Sequence, residues 1–152
     1  MEPNEIDHRY NEIKSDFEIL GSWSLRYQSL VEMGRDLEPM DPRFKTLEFY
    51  VEGCVSALWI RGDLKDGKLY FSADSDGILP KGLTALLVHL FTGTSPQEIL
   101  NWEGNPVKDL GFYQNMTPTR VEAFAKMIKK FKEWAGKSLE GQTSGTDLGG
   151  RK

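Results

Sequence analysis

A single cysteine and only two histidines occur among the 152 residues, and this scarcity excludes whole classes of site. One thiol permits no intramolecular disulfide, and Cys54 with His8 and His89 makes no zinc set of the usual spacing. Basic residues are also in the minority. Lys and Arg number 19 against 23 Asp and Glu, a formal charge of -4, which argues against a chain built to neutralise a phosphate backbone. No nucleic-acid partner is expected. The apolar run from Leu83 to Phe91 falls far short of the roughly 20 residues that span a bilayer, and the acidic opening Met1 to Asp7 has no secretory apolar core. No membrane association is expected, and the chain is expected to be cytoplasmic.

What remains is the composition of an ordinary folded domain, 39% hydrophobic and 28% charged. A domain of roughly 150 residues buries about 68–70% of the surface its unfolded chain exposes, enough for a core without staples. From Ile13 to Leu37 the apolar residues Ile13, Phe17, Leu20, Trp23, Tyr27, Leu30, Val31 and Leu37 recur at steps of mostly three and four, the pattern of an amphipathic helix. Gly21 and Ser22 interrupt it. Glycine is a poor helix-interior residue and serine a good N-cap, so the pattern predicts two consecutive helices. The second ends near Gly34, and His8 lies in a mobile terminus before the first.

Phe44 to Arg61 is rich in β-branched and aromatic residues; after Cys54, the residues Val55, Ala57 and Trp59 share one strand face and Ser56, Leu58 and Ile60 the other. Gly62 to Gly67 has turn chemistry, and Leu69, Phe71 and Ala73 then alternate with Lys68, Tyr70 and Ser72, which predicts a hairpin. A lone hairpin is marginal in water, so its apolar face needs helices or a further strand, most simply Lys45 to Val51. Pro80 suits the first turn of a buried helix carrying Leu83, Leu86, Leu87, Leu90 and Phe91. Ser95-Pro96-Gln97-Glu98 has the form of a capping box, and Thr117-Pro118 opens a last helix with the stripe Val121, Phe124, Ile128, Phe131 and Ala135. From Gly136 onward Gly, Ser and Thr prevail with few large apolar side chains. The expectation is therefore one domain over 1–135 and a disordered glycine-rich tail over 136–152.

Few residues offer chemistry. Cys54 follows Gly53 where a strand begins, and it reads either as a small core hydrophobe or as a loop thiol whose thiolate is the reactive species. No His or basic residue stands near it in the chain before Arg61, so an activating cation must arrive through the fold, with Arg120 as one candidate. Asp74 and Asp76 lack the following glutamate of a calcium loop and are expected to cap the next helix. His89, among leucines, is expected to be a packed or partly exposed helix residue rather than a catalytic base.

The segment Val51-Glu52-Gly53-Cys54-Val55-Ser56-Ala57-Leu58-Trp59-Ile60 resembles the SufE-type sulfur-acceptor family, whose signature is Gly-Cys followed by Ser, an apolar residue and Trp. Asp74-Ser75-Asp76, Lys81-Gly82-Leu83, Gly93 to Ile99 and Met116 to Arg120 continue the resemblance in the family's order. Trp23, Arg26, Tyr27, Leu30 and Gly34 are similar to its early helical motif. The chain departs from the family at Phe49-Tyr50 and at Val121-Glu122-Ala123-Phe124, so its partner surface is expected to differ. The resemblance implies an α+β fold, a small antiparallel sheet of about three strands flanked by helices, SufE/IscU-like. It implies that Cys54 accepts a persulfide sulfur, with Gly53, Ser56, Asp76 and Arg120 shaping the acceptor loop or the partner contact.

The implied partner is a cysteine desulfurase of the SufS or CsdA type, whose pyridoxal phosphate belongs to it and not to this chain, and the implied recipient is a SufBCD-type iron-sulfur scaffold. The chain would be a sulfur-transfer accessory protein that stimulates the desulfurase and has no independent turnover, no cofactor and no metal of its own. Two other readings stand beside this one. A binding module would activate a desulfurase allosterically without being sulfurated. A scaffold would itself assemble a cluster, against which stands the one thiol per chain where about four are ordinarily used.

Overall fold

A computed structural model of the protein describes residues 4–54 and 56–144. The first half of the chain forms the two consecutive helices that the interrupted periodicity predicts. Helix α1 (Glu5–Leu20) starts where the Asn4 side chain accepts from the Asp7 N–H, and α2 (Trp23–Asp36) starts where the Ser22 side chain accepts from the Leu25 N–H. Two expectations change here. His8 lies within α1 and not in a mobile terminus, because Asn4 and the acidic first turn make a sound helix start well before Ile13. Gly34 does not end α2; it sits buried inside it.

The strands β1 (Leu58–Lys65) and β2 (Lys68–Ser75) pair antiparallel, with Leu58 opposite Ser75 and Lys65 opposite Lys68. The turn is narrower than the Gly62 to Gly67 stretch suggests. Asp66 and Gly67 both have positive φ, the requirement of a two-residue hairpin loop, so the strand continues through Gly62 to Lys65. Leu69, Phe71 and Ala73 face the core as expected. The α+β class stands, and among the described residues the sheet has two strands where about three are expected. Lys45 to Val51 instead curls through local bonds, Phe49 N–H to Thr46 C=O and Tyr50 N–H to Leu47 C=O. Donors spent locally are not available to a ladder, and only an isolated bridge, Tyr50 opposite Trp59, joins the segment to β1.

Helix α3 (Ile78–Phe91) is apolar on nearly every side and forms the centre of the molecule, with Leu83, Leu86, Leu87, Leu90 and Phe91 at most 1% exposed. Its C-terminal carbonyls are gathered by Arg9 of α1, whose guanidinium donates to His89, Leu90 and Thr92 at 3.0, 3.1 and 2.7 Å. His89 itself is an exposed residue of this helix. Short helices α4 (Pro96–Asn101), α5 (Pro106–Asp109) and α6 (Phe112–Asn115) follow, the first with the complete Ser95/Glu98 capping box. The long α7 (Pro118–Ser144) closes the core with Phe124, Met127, Phe131 and Ala135. It overruns the expected boundary at residue 135. Gly136 is an isolated glycine among good helix formers, and its cost of about 1 kcal/mol does not end a helix this well anchored. Residues 145–152 of the expected tail lie outside the described residues.

Where α2 crosses α3, two glycines meet. A Cβ on Gly34 would lie 2.9 Å from the Gly82 nitrogen, and a Cβ on Gly82 would overlap the Leu30 carbonyl. The absent side chains let the two backbones touch, which accounts for Leu30, Gly34 and Gly82 together. Gly82→Ala is expected to lower stability by about 1–3 kcal/mol through this overlap, despite alanine's better helix propensity. Gly136→Ala, where no described atom comes within 4 Å of the new methyl, is expected to gain up to about 1 kcal/mol. Urea unfolding of the two variants beside the parent checks both signs.

Candidate functional site

Cys54 stands in a loop that begins after Val51, beside the Tyr50–Trp59 bridge, and enters β1 at Leu58. Its base is closed by Val51 N–H donating to the Leu58 carbonyl at 2.8 Å and Ile60 N–H donating to the Phe49 carbonyl at 2.9 Å. The expected face assignment of Val55 lies outside the described residues. At the tip, Gly53 has φ +92°, a conformation that L side chains rarely adopt. The returning limb is held by the Asp74-Ser75-Asp76 segment. Asp76 Oδ1 accepts the Ala57 N–H at 3.0 Å, and the Ala57 carbonyl accepts from the Ser75 hydroxyl at 2.6 Å and the Asp76 N–H at 3.2 Å.

The aspartates therefore do not cap α3 as the sequence led us to expect. Gly77 is its N-cap, with no side-chain hydrogen bond, because both carboxylates are committed elsewhere. Asp74 pairs with Lys45 at 2.7 Å and Lys81 at 3.5 Å and accepts the Ser75 N–H. Burial opposes ionisation of Asp74, but the bonds from Lys45 and Ser75 and the charges of Lys81 and Lys45 together hold its carboxyl below the usual range. Ser56 packs on the start of α3, where a Cβ on Gly77 would collide with the Ser56 hydroxyl.

The thiol is half-buried and faces a cavity of about 130 Å³ lined by Ser56, by Pro80 and Leu83 of α3, and by Thr117 and the α7 residues Thr119, Arg120, Ala123 and Met127. The space is well below the roughly 300–1,000 Å³ of ordinary small-molecule sites and suits a few atoms appended to sulfur. Its apolar side is Pro80, Leu83, Ala123 and Met127; its polar side is Ser56, Thr117, Thr119 and Arg120. Thr117 opens α7 by accepting the Arg120 N–H at 3.2 Å, which fixes the turn that carries Arg120 into the lining. The fold thus brings Gly53, Cys54, Ser56, Asp76 and Arg120 to one loop and its cavity. A larger depression of about 670 Å³ beside α1, α2 and α3 has no thiol in its wall. Among the described residues, no cluster of His, Cys, Asp and Glu suits a metal ion.

One participant escapes sequence reasoning. Lys126, an exposed residue of α7, donates to the Gly53 carbonyl at 3.4 Å across a separation of 73 residues. Nothing in its local pattern points to Gly53. Burial pushes the Cys54 thiol above its ordinary pKa, and the Lys126 charge opposes that rise. The cavity face of α7 is more legible, since Arg120, Ala123 and Met127 recur at helical spacing.

The Asp76 clamp has a measurable consequence. Asp76→Ala is expected to cost about 1 kcal/mol of local stability and to speed hydrogen exchange of the Ala57 amide about fivefold, with Asp76→Asn milder because it keeps an acceptor.

Residues 11–135 match the family model described as SufE, Fe-S metabolism associated domain. An uncharacterized SufE-like protein of Synechocystis is 37% identical over 120 residues, covering 79% of this chain and 76% of the relative. One from Rhizobium meliloti is 29% identical over 130 residues, covering 82% and 93%. The SufE-like protein 1, chloroplastic/mitochondrial, of Arabidopsis thaliana is 36% identical over 126 residues; 82% of this chain aligns, but only 34% of that longer protein. The chain thus spans about a third of the plant relative. A solution structure of a hypothetical protein from Thermus thermophilus superposes with TM-score 0.71 at 21% identity, covering 92% of this chain and 99% of that one, and so shares the fold. With a family model over most of its length and relatives above 30% identity, the chain belongs to the SufE family of iron-sulfur metabolism.

Proposed function

We propose that this chain is a sulfur acceptor and relay: Cys54 takes the outer sulfur of a persulfide carried by a cysteine desulfurase and passes it to iron-sulfur cluster assembly. The observation that carries the reading is the placement of the sole thiol in a pinned loop, facing a cavity with room for a few added atoms. In the transfer step the Cys54 thiolate attacks the outer sulfur, a new S–S bond forms on Cys54, and the desulfurase cysteine leaves as thiolate. The thiol proton passes to solvent. One S–S bond replaces another, so neither oxidant nor reductant is consumed.

Release repeats the exchange toward a recipient thiolate on a scaffold, for which a SufBCD-type assembly is the expected recipient and a SufS- or CsdA-type enzyme the expected donor. Removing sulfur from the donor frees it for another turnover, which is how the chain would stimulate the desulfurase without turnover of its own. The pyridoxal phosphate chemistry that generates the sulfur stays with that enzyme. An unpaired cysteine suits a reducing compartment, and we place the relay in the cytoplasm.

Enclosure shields a persulfide from stray thiols and oxidants, while transfer requires the sulfur to reach a second protein, so the Cys54 loop opens against the partner. Arg120, the one charged residue of the cavity lining, is the cation we assign to the anionic persulfide in the closed state. No helix among the described residues is long and apolar enough to cross a membrane.

Incubation with an active desulfurase and cysteine is expected to add the mass of one sulfur to the intact chain, removable by reductant, and to leave Cys54→Ser unchanged. Desulfurase turnover is expected to rise with the parent and not with Cys54→Ser. Stimulation by Cys54→Ser equal to the parent's would replace the relay with allosteric activation by an unsulfurated module.

A further inference from the structure

Gly53 is placed under two separate constraints, and both involve its surroundings on α7. Its φ of +92° already favours glycine. In addition, a Cβ at this position would lie 2.5 Å from the Lys126 ammonium nitrogen and 3.0 and 3.2 Å from the Lys126 Cδ and Cε atoms. The lysine stem therefore lies across the face of Gly53, and its ammonium donates to the carbonyl of the same residue at 3.4 Å. A side chain exposed along α7 would ordinarily extend into water; this one is folded over the peptide that precedes the reactive thiol.

We propose that Lys126 is the latch of the Cys54 loop, a positioning residue whose ammonium holds the Gly53 carbonyl against α7 and keeps a positive charge beside the sulfur. The bond is long and exposed, which gives the latch a useful weakness. A neutral-carbonyl acceptor at 3.4 Å competes poorly with a carboxylate, so an acidic side chain on a docking partner would draw the ammonium away and free the loop. Among the described residues no carboxylate forms an ion pair with the Lys126 ammonium. Glu48, Glu52 and Glu133 line the same surface groove, and Glu133 pairs with Lys130. The charge that acts on the thiol is that of Lys126; Arg120 is the one charged residue of the cavity lining, and Asp76 is turned to the Ala57 amide.

The latch rests on the relay reading for its purpose, but its test does not use a desulfurase. Alkylation of Cys54 in the intact, isolated chain by iodoacetamide, followed across pH, separates two quantities. The midpoint reports thiolate formation, and the high-pH plateau reports access. Burial raises the thiol pKa and Lys126 lowers it, so Lys126→Ala is expected to move the midpoint up by about half a pH unit. The same variant is expected to raise the plateau about threefold, because the loop opens more often. Lys126→Arg, which keeps the charge and the donor, is expected to restore both.

Lys129→Ala removes a charge from the same groove without touching Gly53 and is expected to leave the plateau unchanged. A Lys126→Ala profile that matches the parent in either midpoint or plateau overturns the latch, as does a Lys129→Ala profile that reproduces it. Either failure leaves the sulfur-acceptance assay above untouched, and failure of that assay leaves the alkylation result standing.

Discussion

The short hydrogen bond between the Val51 N–H and the Leu58 carbonyl closes the base of the loop on which the whole site depends. Without it, residues 52–57 would be a continuation of whatever strand or turn lay on either side, and Cys54 would face wherever local sterics sent it. With it, the loop is a short closed span whose ordering cost is small and whose ends are fixed to the buried positions Val51 and Leu58. Every other restraint acts on this span. Asp76 and Ser75 seize both polar groups of Ala57, Ser56 is wedged against Gly77, and Lys126 covers Gly53. The tertiary fold enters through α3 and α7, whose first turns supply Pro80, Thr119 and Arg120 to the cavity wall.

That dependence explains which parts of the molecule are legible in the amino-acid sequence. Helix α1, α2 and the Ser95/Glu98 box are local events, written in caps and periodicity over a few turns, and the sequence carries them openly. The sheet is less legible. Phe49-Tyr50-Val51 has strand composition, but whether it joins a ladder is decided by where Thr46 and Leu47 offer their carbonyls, and composition does not record that. Gly34 misleads for a related reason. Missing bulk near a helix end looks like a cap, and only the crossing with Gly82 shows that it serves a close approach.

The site divides the same way. Gly53-Cys54 and Asp74-Ser75-Asp76 are recognisable as motifs because the residues of each are contiguous, and the family resemblance rests on them. What each residue does is hidden, because it is a relation between segments. The two aspartates are near neighbours in sequence and have different employments, Asp74 joining Lys45 and Lys81 while Asp76 grips Ala57. Lys126 carries no signal at all. A lysine on the exposed side of an amphipathic helix is the commonest of residues, and its meaning lies in a glycine 73 positions away that presents bare backbone to it.

A sulfur carrier must satisfy two demands that oppose each other. Protection of a bound sulfane sulfur favours an apolar enclosure, and an apolar enclosure disfavours the thiolate that has to make the attack. Around Cys54 both apolar and cationic side chains are present. Leu83, Met127 and Pro80 line the cavity beside the thiol together with Arg120, and the Lys126 ammonium reaches the Gly53 carbonyl from the same helix as Arg120 and Met127. In the closed loop, burial raises the thiol pKa and the Lys126 charge opposes that rise, so the two demands meet on one sulfur atom.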